Sequence, residues 1–175
     1  MKKFRVVNSI VPISISLFSN SSIVEKKKSN YLSYRSKVWQ NTSRGGLPKL
    51  FLENLNFEKY HDQIFAVNFF ASWCAPCRIE APVIDELSKI LPVIGIAYKD
   101  KYSDTKQFLD NFGNPYIETG IDKSGKIAIE WGVYGVPETF LINKKGEIIY
   151  RHAGPLLYGI FKDEVLPLLE SSKND

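Results

Sequence analysis

Hydrophobic and polar positions change rhythm near residue 46. Before it, an apolar stretch from Val6 to Phe18, broken by Asn8, Pro12, Ser14 and Ser16, gives way to Ser, Asn, Lys and Arg without sustained periodicity. Gly45, Gly46 and Pro48 close that segment. After it, Leu50, Phe51, Leu52 and Leu55 suggest a short extended piece, and Ile64 to Ala71 is apolar throughout except at Asn68. A run apolar on both faces suits an interior strand of a sheet covered on both sides. Ile79, Val83, Ile84, Leu87 and Ile90 then recur at helical spacing, with Pro76 in the first turn and Pro82 inside, where it is expected to kink the helix. Val93 to Tyr98 predicts a second strand, completing a βαβ unit that is right-handed by default.

Further along, Phe108, Leu109 and Phe112 mark one side of a surface helix over Lys101 to Phe112, stopped by Gly113 and turned by Asn114-Pro115. Asp122-Lys123-Ser124-Gly125 reads as a turn, and Ile127 to Trp131 as a short apolar-patterned segment of undefined type. Glu138 to Asn143 and Glu147 to His152 alternate around Asn143-Lys144-Lys145-Gly146, a β-hairpin signal. Leu156 to Leu169 is a terminal helix, expected to fray at Pro167. The order predicts an α/β fold whose central sheet has mixed strand direction and is flanked by helices.

The chain divides accordingly. Residues 1–22, with Lys2, Lys3 and Arg5 ahead of the apolar stretch and Ser19 to Ser22 behind it, resemble a secretory signal or a weak membrane anchor. The stretch falls short of the roughly 20 apolar residues that span a bilayer. Lys26 to Lys28 would lie on the outer side after export, against the positive-inside tendency; a basic tail without fixed structure is the competing reading. Residues 23–45 read as a linker and 46–175 as the folded domain.

Charge is divided the same way. Residues 1–49 carry ten Lys/Arg against the single Glu25, a net of +9, whereas the remaining thirteen basic and eighteen acidic residues net −5. The overall +4 therefore argues for no nucleic-acid partner, because the folded part offers no general attraction to a phosphate backbone. With 44% hydrophobic and 24% charged residues, collagenous and wholly disordered classes are excluded.

Cys74 and Cys77 are the only cysteines, so no disulfide framework staples the fold. His61 and His152 stand at no ligand spacing from them or from each other, which leaves no metal site and no cofactor expected. On a helix, residues three apart are neighbours, at a separation a disulfide fits. Cys74 would sit at the helix start, where free amides and the helix dipole favour a thiolate; Cys77, one turn in, would be shielded. Such a pair at a strand-to-helix junction is a redox signature: Cys74 attacks a substrate disulfide and Cys77 resolves the mixed disulfide. Trp73 reads as an apolar cover beside it, or as an ordinary rim aromatic.

The segment Phe69-Phe70-Ala71-Ser72-Trp73-Cys74-Ala75-Pro76-Cys77-Arg78 resembles the active-site segment of thioredoxin-fold oxidoreductases. Tyr98-Lys99-Asp100, Gly113-Asn114-Pro115-Tyr116, Gly132 to Ile142 and Tyr150-Arg151-His152-Ala153-Gly154 extend the likeness, over roughly residues 46–170, to the CcmG/DsbE family of cytochrome c maturation. The resemblance implies a thioredoxin-like fold and a cis peptide between Val136 and Pro137 facing the dithiol, with Val136 offering backbone groups to an extended peptide. It further implies active-site positions for Glu80 and Glu138, which composition alone would place among solvated surface charges. Asn68 stands where general thioredoxins carry a buried Asp, leaving Glu80 or Glu138 as candidate bases; carboxylates beside the thiols would oppose thiolate formation and favour a reducing couple. Tyr134 would line the same groove or serve structure.

The activity so implied is that of a periplasmic dithiol reductant, tethered by its N-terminus to the inner membrane. It would reduce the apocytochrome c disulfide directly or through a partner thiol protein, and be re-reduced by a membrane electron donor. Two other readings stand beside it: a general periplasmic protein-disulfide reductase, and a peptide-binding or chaperone module whose cysteines are dispensable.

Overall fold

The structure is a computed structural model that describes residues 57–60 and 62–172. The expected signal or anchor, the linker and the extended piece around Leu50 to Leu55 lie outside the described residues, as does His61. Among the described residues no helix is long and apolar enough to cross a membrane.

A short 3-10 turn, Phe57–Tyr60, precedes the sheet. The chain then alternates β1 (Phe65–Phe70), α1 (Ala75–Ser88), β2 (Val93–Tyr98), α2 (Tyr102–Phe112), β3 (Glu118–Asp122), α3 (Lys126–Glu130), β4 (Glu138–Ile142) and β5 (Ile148–Ala153). The last helical stretch is built from α4 (Tyr158–Ile160), a π-helical turn (Phe161–Val165) and α5 (Leu166–Ser172). Spatial order in the sheet is β3-β2-β1-β4-β5. β1 runs parallel to β2 and antiparallel to β4, β2 is parallel to β3, and β4 and β5 form the antiparallel hairpin. This mixed sheet flanked by helices is the thioredoxin-like arrangement expected above.

β1 is central and every one of its six residues is buried, as its uninterrupted apolar run requires. Its side chains alternate between two layers. Phe65, Val67 and Phe69 join Ile94, Ile96, Phe140, Ile142, Ala128 and Trp131 on one face. On the other, Ala66 packs with Ile84 and Leu87 of α1 and with Leu156, Phe161, Val165 and Leu169 of the C-terminal stretch, while Phe70 packs with both cysteines, Ala97 and Phe108.

Three expectations needed correction. β3 went unread because Glu-Thr-Gly-Ile-Asp, an edge strand beside β2, buries only Gly120 and Asp122 and carries no apolar alternation. The undefined segment after Gly125 is the short helix α3, which buries Ala128 alone. Pro167 does not fray the last helix, which continues to Ser172. Pro167 falls in the first turn of α5, directly after the π-helical turn, where its missing N–H interrupts no established α-helical ladder.

Candidate active site

β1 ends at Phe70, and the chain turns through Ala71 to Cys74, whose N–H donates to the Ala71 carbonyl at 3.1 Å. Cys74 has extended backbone and caps α1: its Sγ accepts the Cys77 N–H at 3.2 Å, satisfying one of the amides a helix start leaves free. Pro76 occupies the first turn, where no amide hydrogen is needed, and α1 runs on through Pro82. Cys74 and Cys77 are joined as a disulfide with their Cα atoms 5.3 Å apart.

Shielding does not separate the two sulfurs as expected, since Cys74 is 3% exposed and Cys77 2%. Cys74 folds back over the first turn, and the Val136 carbonyl oxygen closes on its Sγ at 3.5 Å. The Val136-Pro137 peptide is cis, and the Pro137 carbonyl accepts from Gly154 N at 2.9 Å. Trp73 stands at the rim, more than half exposed, its ring 6.3 Å from that of Tyr98.

One helical turn beyond Cys77, Glu80 is 1% exposed, so the solvated-surface reading fails for it. Its Oε1 accepts from Asn68 Nδ2 at 3.0 Å and its Oε2 from Leu156 N at 2.9 Å. Asn68 also donates to Thr139 Oγ1 at 3.0 Å, and its Oδ1 accepts from the Tyr116 hydroxyl at 2.7 Å, so each polar atom of the amide is engaged. Burial pushes the Glu80 carboxyl up to about 7, outweighing the two hydrogen bonds that favour its charged form. Burial, with the neighbouring Glu80 charge, also raises the Tyr116 phenol well above its usual range.

The sheet register builds this network. Asn68 pairs with Gly95 on β2 and with Thr139 on β4, so the three positions share one face. A Cβ at Gly95 would lie 2.7 Å from the Tyr116 ring; its absence lets that ring stack on Phe70 at 4.8 Å and reach Asn68. The sequence reading had set Asn68 aside from proton handling and gave Tyr116 no role beyond its place in the resemblance.

Glu138, 3% exposed, is buried differently. Its Oε2 meets Arg151 Nε at 2.8 Å and Nη2 at 2.7 Å, and its Oε1 accepts from Tyr134 N at 3.1 Å. Arg151 also donates to the Gly132 carbonyl at 2.9 Å. Glu138 thus clamps the loop that precedes the cis turn. Tyr134 itself is 91% exposed, with the Arg151 guanidinium 5.9 Å from its ring centre.

Asp100 carries a role the sequence reading did not give it. It is buried and accepts from Ser72 N at 2.7 Å, Ser72 Oγ at 2.8 Å and Lys101 N at 2.9 Å, pinning the turn that presents Trp73 and Cys74. The available signal was an acidic residue just past the C-terminal end of a parallel strand, where sites of α/β sheets gather. Among the described residues no three His, Cys, Asp or Glu side chains come together as a metal site.

Residues 43–163 match the Redoxin family. A second family, described as Glutamate-cysteine ligase family 2(GCS2), matches residues 1–70, less than half the chain and ending before the cysteine pair. The thiol:disulfide interchange protein CycY of Rhizobium leguminosarum bv. viciae is 46% identical over 108 residues, 61% of this chain and 58% of that protein. The DsbE homolog of Paracoccus denitrificans is 46% identical over 106 residues (61% and 59%), and HelX of Rhodobacter capsulatus 42% over 108 (61% and 61%). The chain spans about three-fifths of the length of these curated relatives. Among solved structures, a thiol:disulfide interchange protein DsbE from Chlorobium tepidum superposes with a TM-score of 0.60 at 22% identity, covering 67% of this chain and 85% of its own. A DsbF homologue from Corynebacterium diphtheriae gives 0.56 at 22% identity, covering 67% and 76%; both likenesses are of fold.

Proposed function

The chain belongs to the Redoxin family, and from that premise we propose that it is a thiol:disulfide oxidoreductase serving as a dithiol reductant in cytochrome c maturation. The observation that carries the reading is the buried Cys74–Cys77 pair at the start of α1, closed over by the Val136 carbonyl beside the cis peptide. The names of the curated relatives support it.

In the reduced chain the Cys74 thiolate is stabilised by the Cys77 amide and the helix start. It attacks one sulfur of the substrate disulfide; the other leaves as a thiolate and takes a proton. Cys77 then loses its proton and attacks Cys74 Sγ, and the second substrate sulfur departs and is protonated. Two electrons pass to the substrate, whose two leaving sulfurs take one proton from Cys77 and one from solvent, and the disulfide form described here is the product state. Glu80, one turn from Cys77 and poised near neutrality, is the base we assign to the Cys77 proton, and Glu138, held by Arg151, is not. Val136 and Pro137 receive the peptide, with Trp73 and Tyr134 at the rim.

The substrate we assign is an oxidised Cys-x-x-Cys-His segment of apocytochrome c, or a partner thiol protein that acts on it, in the periplasm. Re-reduction there requires a membrane dithiol donor, and the N-terminal segment would supply a tether. Cys77→Ser is expected to trap a covalent adduct through Cys74 with such a peptide; turnover undiminished in this variant overturns the reading. The couple is expected to be more reducing than about −180 mV, and a value near −120 mV reverses the direction of electron flow. Deleting the gene should abolish covalent haem in c-type cytochromes selectively, whereas a general periplasmic reductase predicts a broad thiol defect.

A further inference from the structure

The folded part of the chain is acidic, yet the side of the dithiol bearing Trp73 is lined by cations. Arg78, directly after Cys77, is exposed; its Nη2 donates to the Ser72 carbonyl at 3.4 Å, and its guanidinium lies 5.7 Å from the Phe112 ring centre. Lys99 and Lys101, also exposed, flank the buried Asp100 whose carboxylate holds Ser72. Among the described residues none of the three cations makes an ion pair within 4 Å. Asp104, on the first turn of α2, donates its backbone N–H to the Lys101 carbonyl, while Ser103 Oγ bonds to its carboxylate.

The placement of Lys99 is specific. Its backbone takes φ +48°, the left-handed region that non-glycine residues enter at a cost of about 1 kcal/mol or more. Its N–H donates to the Asp122 carbonyl at 2.8 Å, and its Nζ lies 5.1 Å from the centre of the Tyr98 ring, the ring beside Trp73. Gly125 makes room for it: a Cβ there would come within 2.6 Å of Lys99 Cε. The Lys99 position thus carries a cation next to Tyr98 where glycine or asparagine would sit at lower cost.

We propose that Arg78, Lys99 and Lys101 form a docking surface for a protein disulfide whose cysteines are flanked by carboxylates, steering that partner onto Cys74. The inference rests on the redox reading above. An exposed cluster of like charge beside a reactive centre raises the encounter rate of an oppositely charged partner, and salt screens the effect over about 8–10 Å at ordinary ionic strength.

The test uses the reduced full-length chain and three oxidised Cys-x-x-Cys peptides of equal length, with acidic, neutral or basic flanks. The acidic peptide is expected to be reduced about tenfold faster than the basic one at low ionic strength, converging to about twofold near 1 M salt. The acidic-to-neutral rate ratio should fall in Lys101→Gln and drop below one in the Lys99→Glu, Lys101→Glu double variant. Because each ratio is taken within one protein, a change in overall activity does not enter it, and the basic N-terminal segment is common to all. Normal reduction of the neutral peptide with equal rates for the charged two overturns the docking surface alone. Reduction of none of the three overturns the redox reading and the surface together.

Discussion

Glu80, one turn beyond Cys77, and Glu138, next to Pro137, are both buried carboxylates, and they are held by opposite means. Glu138 meets a guanidinium, which supplies a charge partner and a hydrogen bond at once. Glu80 meets only neutral donors, Asn68 and the Leu156 amide, so burial prevails and its proton affinity climbs to near neutrality. Burial is what lifts the Glu80 carboxyl, and its two neutral hydrogen-bond donors offset it only in part. One residue fastens a loop and the other can change charge at working pH.

The contrast is broken most severely by removing the countercharge. Arg151→Met leaves Glu138 buried beside an apolar chain and is expected to cost about 3–5 kcal/mol in denaturant unfolding. Adding Glu138→Gln should recover part of that loss, because the stranded charge is gone. No recovery in the double variant would mean that Arg151 acts mainly through the Gly132 carbonyl and the aromatic rings it covers.

The Glu80 side is read through pH. The unfolded carboxyl ionises near 4.5 and the folded one near 7, so between those values the folded chain holds a proton the unfolded chain has released. Folding stability of the oxidised protein should fall as pH rises through that window, by about 3 kcal/mol in total, and stay low above it. In Glu80→Gln the decline should vanish, whatever the variant's absolute stability. A decline that persists assigns the titration to another group.

A smaller effect sharpens the account of how Glu80 is held. Tyr116→Phe leaves Asn68 Oδ1 without its donor and should cost about 1–3 kcal/mol. It should also shift the stability window, because the Asn68 amide is no longer fixed in the orientation that donates to Glu80. A loss of stability with an unchanged window reduces Tyr116 to packing on Phe70. Smallest of all, Tyr134→Ala is expected to alter stability by no more than about 0.5 kcal/mol, since the side chain is almost wholly exposed. A larger loss would make its contact with Arg151 part of the clamp.

Legibility in the sequence followed the physics of each element. β1, α1, β2 and the hairpin were readable because burial on one or both faces writes a period into the apolar positions. β3 was not, because an edge strand whose buried positions are Gly120 and Asp122 writes none. The cysteine pair was legible from its spacing and the helix start, and the cis peptide from resemblance alone. The division between Glu80 and Glu138 was invisible: it depends on Asn68, Tyr116 and Arg151, which lie 12, 36 and 13 residues from the carboxylates they serve. Strand register sets Asn68 between Gly95 and Thr139, and no local pattern encodes register between distant strands.

The connection between the last strand and the last helix has a consequence for what length changes this chain can absorb. Gly154 is tied to the Pro137 carbonyl and, two residues on, Leu156 is tied to the Glu80 carboxylate. Surface loops are ordinarily where a domain tolerates added or deleted residues. Here a single insertion between those positions would slip one tie against the other, so this short span behaves as a fixed spacer between the cis Val136-Pro137 turn and the titrating acid.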